Sequence, residues 1–325
     1  MKLIKPSFEI IEQKPRDIVI PADMEIGPRM WKDELINSVY RQIEIAGRTC
    51  YKSEDKITET SAKEFVDRMV KSGHGAMLEH GTVYLKVPNS VVDEGFQFGT
   101  NWSTLCLNPY TRYISDGDYY YYTTNYRVII EHDLQGVLEY LCEPTEYHVK
   151  RVTVRFICDM GVAREFCRHR LFSFAQESTR YCNYSKVKFG KELNCIIPCW
   201  YKNMFEGNSY NIELCHTYDL TISEGLSRTE AAWIQAMCEA ESTYFGLLTE
   251  GEPAQQARNV LPLALKTELI MTGTVEQWIE FLKLRCANDA HPQARELAIE
   301  LRDRLLLDDY IDIDAEGNLQ VSNRY

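Results

Sequence analysis

The chemistry of this chain is densest in fourteen residues. Between Arg168 and Tyr181 stand Arg168, His169, Arg170, Ser173, Ser178 and Arg180. Arg151, Arg155 and Arg164 lie just upstream. From 151 to 180 six arginines face three acids (Asp159, Glu165, Glu177), although the formal charge of the 325-residue chain is −12. Arginine offers a planar fork of donors that matches a phosphate or carboxylate two bonds at a time. Serine hydroxyls and backbone N–H groups complete such sites. Leu171, Phe172 and Phe174 interleave the charges, which argues for a partly buried pocket over a solvated basic face. The residue types therefore point to a phosphate-bearing small ligand held near a ring or a second cofactor. Arg168, Arg170, Ser178 and Arg180 are the first candidates, with Arg258 and Arg285 beside them.

Elements on both sides must position these groups. The segment 152–158 alternates, with Val152, Val154, Phe156 and Cys158 on one face, as in a half-buried strand. Gly161 then opens a short helix over 162–169, with Arg164 and Arg168 on one side of it. Ser227-x-x-Glu230 is a capping box and starts a long helix. Trp233, Met237, Ala240, Tyr244 and Leu247 are its expected inward stripe. Glu252-Pro253 starts another helix, which carries Arg258, and 265–271 reads as a strand. Thr274-x-x-Gln277 is a further capping box. The helix after it carries Trp278, Phe281, Leu282 and Arg285 at i, i+3, i+4 and i+7, so Arg285 shares the apolar face. A final helix spans 291–307, and the acidic tail from Asp308 reads as exposed.

The first third is plainer. A strand is expected at 8–11 and a helix over 31–46, ended by Gly47. Ser61-x-x-Glu64 reads as a capping box, and Gly73 closes its helix. His74 follows as either a dipole partner or a functional group. A strand is expected over 82–87, stopped by Pro88. Residues 88–148 read as an insertion, with a short helix near 134–141. The run Tyr119-Tyr120-Tyr121-Tyr122 reads as an exposed loop or an oligomer contact.

Composition sets limits. The 45% hydrophobic and 26% charged content is that of an ordinary globular chain. No run of apolar residues is long enough to span a membrane, and the first residues lack a signal-peptide core, so a cytoplasmic setting is expected. The acidic total disfavours nucleic acid as a partner. The 11 cysteines are scattered and odd in number, which suits reduced thiols. Cys195 and Cys199, and Cys215 beside His216, lack a second pair at zinc-ligand spacing, so no metal is expected. There is no Gly-rich phosphate loop and no Gly-x-Ser-x-Gly elbow.

Four segments, in order, resemble the flavin-dependent thymidylate synthases. They are Gly73-His74 with Glu79-His80, then Arg168-His169-Arg170 with Ser178-Thr179-Arg180-Tyr181, then Arg258 to Leu263, and last Leu284-Arg285 with His291-x-Gln293. The resemblance implies an α/β (α+β) fold with a mostly antiparallel central sheet flanked by long helices. It implies one such unit over 1–325, interrupted by the insertion at about 88–148. It implies a methyltransferase that makes dTMP from dUMP, with methylenetetrahydrofolate as carbon donor and NADPH as reductant through FAD. It also implies a homotetramer with shared sites. On the same basis Glu165, Arg168, Gln176, Glu177, Ser178, Thr179, Arg180, Arg258 and Arg285 fall in the dUMP site. Arg285 is the catalytic candidate, a fixed cation aimed at charge developing on the uracil. His74, Ala76, Arg168, His169, Arg170, Gln176, Thr274 and Glu280 fall at FAD-site positions. The chain departs from the family pattern at Glu165, Ala175-Gln176, Thr274 and Glu280. Two other readings fit the arginine cluster: a flavoenzyme acting on another pyrimidine nucleotide, and a non-catalytic nucleotide- or RNA-binding module.

Overall fold

The computed structural model describes residues 1–16, 28–97, 101–213, 220–221 and 225–322. Its first half runs β1 (Lys2–Ile4), β2 (Ser7–Ile11), α1 (Pro28–Tyr51), α2 (Ser61–Lys71), α3 (Gly75–Leu78), β3 (Thr82–Pro88), α4 (Asn89–Gln97), α5 (Asn101–Leu107), β4 (Arg112–Ser115), β5 (Tyr119–Asn125) and α6 (Tyr126–Glu131). The second half runs β6 (Arg151–Asp159), α7 (Met160–Phe166), β7 (Ser173–Gln176), β8 (Asn194–Ile196), α8 (Arg228–Thr249), α9 (Ala254–Ala257), β9 (Lys266–Thr274), α10 (Val275–Arg285), α11 (Pro292–Leu307), β10 (Ile311–Ile313) and β11 (Leu319–Val321).

The central sheet has the order β2-β6-β9-β7, and every pairing in it is antiparallel. β6 and β9 pair from Arg151 opposite Thr274 to Asp159 opposite Lys266. The alternation at 152–158 sends Val152, Val154, Phe156 and Cys158 into one core with Trp278 and Phe281 of α10 and Leu297 and Leu301 of α11. α1 lies on the opposite face, where Ala46 meets Ala175 and Ile270. An antiparallel sheet between long helices is the α/β architecture the sequence predicts.

Ser227 and Thr274 form reciprocal capping boxes with Glu230 and Gln277. Ser61 does not. Thr60 is the N-cap of α2, and the Ser61 hydroxyl donates to Glu44 Oε2 at 2.9 Å and to the Thr58 carbonyl. Gly47 does not end α1, which continues to Tyr51. A Cβ at Gly47 would stand 2.4 Å from the Phe65 ring, so this glycine admits α2 against α1. The buried stripe of α8 is Ala231, Ile234, Cys238, Glu241 and Tyr244. It is rotated from the expected one, which leaves Trp233 and Met237 half-buried.

The insertion is not a loose loop. β3, β5 and β4 form a second antiparallel sheet, and its core joins Leu35, Val39 and Ile43 of α1 to Phe65, Val83, Leu85, Trp102 and Tyr122. The tyrosine run is the central strand of that sheet. Tyr121 and Tyr122 are 3% and 0% exposed, Tyr122 stacks on Trp102 at 5.7 Å, and Tyr121 stacks on Tyr147 at 4.7 Å. The segment after α11 also differs from expectation: it is the hairpin β10-β11, and Tyr310 and Ile311 are buried in the main core. The ten described cysteines are free thiols. Cys215 and His216 lie outside the described residues. No described helix is long and apolar enough to cross a membrane.

Candidate active site

Arg285 sits in the last turn of α10, behind the buried face of Trp278, Phe281 and Leu282. Its side chain is 14% exposed. Packing aims the guanidinium at the end of α7. Nη1 donates to Glu165 Oε2 at 3.2 Å, Nη2 donates to the Glu165 carbonyl, and Nε donates to His169 Nε2 at 2.9 Å. The other oxygen of Glu165 pairs with Arg168 at 2.9 Å. One carboxylate thus organises two arginines. His169 packs on Phe281, and its Nε2 lone pair is committed to Arg285. Burial first, and the neighbouring Arg285 second, press its pKa down to about 4, so the imidazole is neutral near neutrality.

A second group forms across Pro262 and Leu263. Arg258 caps α9, and its Nη1 donates to Thr179 Oγ1 at 3.4 Å. Arg258, Thr179 and Arg164 line a hollow of ≈ 350 Å³. Pro262 and Leu263 also form part of a neighbouring hollow of ≈ 370 Å³ that reaches Glu165, His291 and Trp200. Arg164, Arg170, Arg180 and Arg258 are exposed, and none of them enters an ion pair among the described residues; Arg180 lies only over Tyr181. Arg168 is also 72% exposed, with its guanidinium paired to Glu165. These cations are open to an anionic ligand, whereas Arg285 is held inward. α7 ends at Phe166, so Arg164 and Arg168 do not share one helix face as expected. Arg151 and Arg155 turn elsewhere. Arg151 begins β6 and donates to Thr82 Oγ1 and the Glu79 carbonyl, and Arg155 pairs with Glu9.

The strand β7 and the turn after it carry the next candidates. Gln176 Nε2 donates to Thr267 Oγ1 at 3.3 Å. Glu177 is buried, and both its oxygens are engaged: Oε1 accepts from the Tyr184 hydroxyl at 3.0 Å and Oε2 pairs with Lys266 at 2.8 Å. Lys266 also pairs with Glu268, and Glu268 with Lys52. The two lysines hold the Glu268 carboxyl down to about 2 against its burial. The Ser178 amide donates to the Cys50 carbonyl at 2.9 Å. This ion-pair chain pins the turn that presents Ser178, Thr179 and Arg180. Lys52, Lys266 and Glu268 escaped the sequence reading, because their partners are far away in the chain and no local spacing marks them.

The expected FAD positions are dispersed. His74 and Ala76 are exposed around the start of α3. His74 lines an open hollow of ≈ 670 Å³ with Tyr51, Met69, Arg68, Lys71 and Ser72. Thr274 caps α10, and Glu280 is exposed and paired with Lys283 at 2.7 Å. Arg285 is at the other end of α10, about 16 Å away by helix rise. One copy of the chain therefore brings together Glu165, Arg168, His169 and Arg285, and separately Thr179 and Arg258. No described contact links His74, Ala76, Thr274 or Glu280 to either group.

Residues 144–306 match the family described as thymidylate synthase complementing protein. The chain is 27% identical over 141 residues to a flavin-dependent thymidylate synthase of Geobacter sulfurreducens, covering 43% of this chain and 50% of the relative. The enzyme of the same name from Mycobacterium tuberculosis is 27% identical over 148 residues, 43% of this chain and 52% of its own. That of Synechocystis is 25% identical over 151 residues, 46% and 64%. The match spans only about half to two-thirds of each relative. The family match over residues 144–306, half of the chain, takes in the central sheet from β6 onward, the arginine segment, Arg258 and Arg285, and on that ground the chain belongs to the thymidylate synthase complementing protein family.

Proposed function

We propose that the protein methylates dUMP reductively to dTMP, with methylenetetrahydrofolate as carbon donor and NADPH as reductant through FAD. The observation that carries this reading is the contrast between two kinds of arginine. Arg285 is inward and fixed on Glu165 and His169, while Arg168, Arg170, Arg180 and Arg258 are outward. The outward set suits a phosphate. The fixed one suits charge that develops on a ring during reaction, since a preorganised donor needs no rearrangement at that moment. Glu165 holds Arg285 in place before substrate arrives. His169 stays neutral and turns its lone pair to the same guanidinium.

The residues fit FAD. The hollow at His74 has an apolar wall of Met69 and Tyr51 and a cationic rim of Arg68 and Lys71, as a ring with a pyrophosphate requires. Arg168, His169 and Arg170 would hold the cofactor from a neighbouring subunit, together with His74, Ala76, Gln176, Thr274 and Glu280. FAD supplies the hydride when bound; the chain's own part is to bind, orient and stabilise charge. Dispersal of the expected contacts within one copy supports a homotetramer with sites completed between chains. In this reading the chain is one catalytic unit carrying an inserted segment, and it works in the cytoplasm. Purification tests the proposal: the protein should carry or take up FAD, and flavin-bound protein should bind dUMP ahead of dCMP and UMP. Uptake of FMN alone, no flavin at all, or preference for another pyrimidine nucleotide would contradict it.

A further inference from the structure

The seam between the two sheets holds an open-mouthed hollow of ≈ 270 Å³. Its walls come from β2 and the residues after it, the first half of α1, β3, the start of β6, and residues 141–144 of the insertion. It opens at the Arg151 end of β6, and neither Glu165 nor Arg285 lines it.

Two features of the hollow are unusual. Arg151 lines it, and its guanidinium donates to Thr82 Oγ1 at 3.2 Å and to the Glu79 carbonyl at 3.1 Å, both neutral acceptors. No carboxylate among the described residues stands in ion-pair range of it. Burial lowers its pKa to about 10 and also lowers that of Lys150 beside it. Arg151 is half-buried, and a cation partly withdrawn from water is stabilised by an anion beside it. Gln42 also lines the hollow from α1. It is 3% exposed, and its amide makes no hydrogen bond among the described residues. Its amide atoms are not fully buried, so they face the hollow and can hydrogen-bond what fills it. Glu12 and Glu143 line the hollow too, but Glu12 is paired with Lys14. The other walls are mixed: Leu35, Val39 and Leu141 give an apolar patch, while Lys14, Lys150, Gln13, Ser38 and Thr153 are polar.

We propose that this hollow binds a small oxyanion on an apolar body, a carboxylate or a phosphate monoester, with Arg151 as its counter-charge and Gln42 as its hydrogen-bond donor. The site is separate from the arginine pocket, and the insertion supplies one of its walls.

Titration calorimetry on the full chain tests this, with benzoate and phenyl phosphate as probes and benzyl alcohol as the uncharged control. Either oxyanion should bind saturably at millimolar concentration, and which one binds tighter identifies the charge type. Benzyl alcohol should bind at least tenfold more weakly. Arg151→Met and Gln42→Leu should each weaken the oxyanion tenfold or more, and saturating dUMP should leave its affinity unchanged. If Arg151→Met does not fold, Gln42→Leu decides alone, since it replaces the donor with a side chain of similar size. Absence of saturable binding, equal binding of benzyl alcohol, unchanged affinity in Gln42→Leu, or displacement by dUMP would each overturn the proposal.

Discussion

Arg285 and Arg258 separate two uses of one side chain. Arg285 is packed behind Trp278 and Phe281 and bonded on three nitrogens, so its charge cannot relax toward solvent. Arg258 is exposed and makes one long bond to Thr179. Arg285→Ala is expected to lower saturated turnover by ~10²–10³, about 2.7–4 kcal/mol. Arg285→Lys keeps the charge but loses the fork and falls between. Arg258→Ala is expected to raise the dUMP requirement with little change in saturated turnover. Single-turnover flavin oxidation at saturating dUMP reads both, and wild-type rates in both Arg285 variants would reduce Arg285 to a binding residue. The inward position of Arg285 is legible in the sequence, because i, i+3, i+4, i+7 spacing is a local signal. The identity of its partners is not. Glu165 and His169 reach it from more than a hundred residues away, through the fold.

Helix ends show what makes a signal readable. At Ser227 and Thr274 the capping residue and its Glu or Gln meet only one another, so the motif forms as written. At Ser61 the same pattern fails because Glu44, on a neighbouring helix, takes the hydroxyl. Gly47 misleads for a related reason: its missing side chain is used for packing against Phe65, not for a turn. The stripe of α8 is misread because Glu230 and Glu241, nominally polar, are buried and bonded there. Glu241 accepts from the Leu193 amide and pairs with the Met1 ammonium. Thr274→Ala and Ser227→Ala are each expected to lower unfolding free energy by ~1 kcal/mol, and Thr274→Ser should restore most of it. Urea unfolding measures this. A loss of flavin in Thr274→Ser at unchanged stability would separate the proposed role of Thr274 at the cofactor from its role as a cap.

Across the whole molecule, burial holds three imidazoles neutral. His148 is fixed by its Nε2 donating to the Leu85 carbonyl and its Nδ1 accepting from the Thr145 amide, and its pKa falls to about 4. His169 is also near 4, and His80 near 3. Each protonates more readily in the unfolded chain, with a pKa of about 6.5. Stability is therefore complete above about 6.5 and falls as pH drops toward 4, because unfolding takes up protons in that window. Glu230 and Glu268, held to about 2, add to the loss only below about 4.5. Urea titrations at pH 7, 6 and 5 should show the fall, and His148→Gln should flatten it. A flat profile in the wild type would contradict the buried assignments.

At this scale β6 is legible from alternation, whereas β7 and the insertion are not. Tyr119 to Tyr122 gain their burial from Trp102, Tyr147 and α1, which no local pattern shows. Shared sites predict that inactive Arg168→Ala and Arg258→Ala chains regain some activity in mixed tetramers; no recovery in verified mixtures would count against that split. The most direct measurement is rapid-mixing oxidation of the reduced, FAD-loaded protein with methylenetetrahydrofolate, with and without dUMP. The account predicts flavin oxidation that depends on dUMP and yields dTMP in equal amount. Oxidation independent of dUMP, or dUMP recovered unchanged, would contradict it.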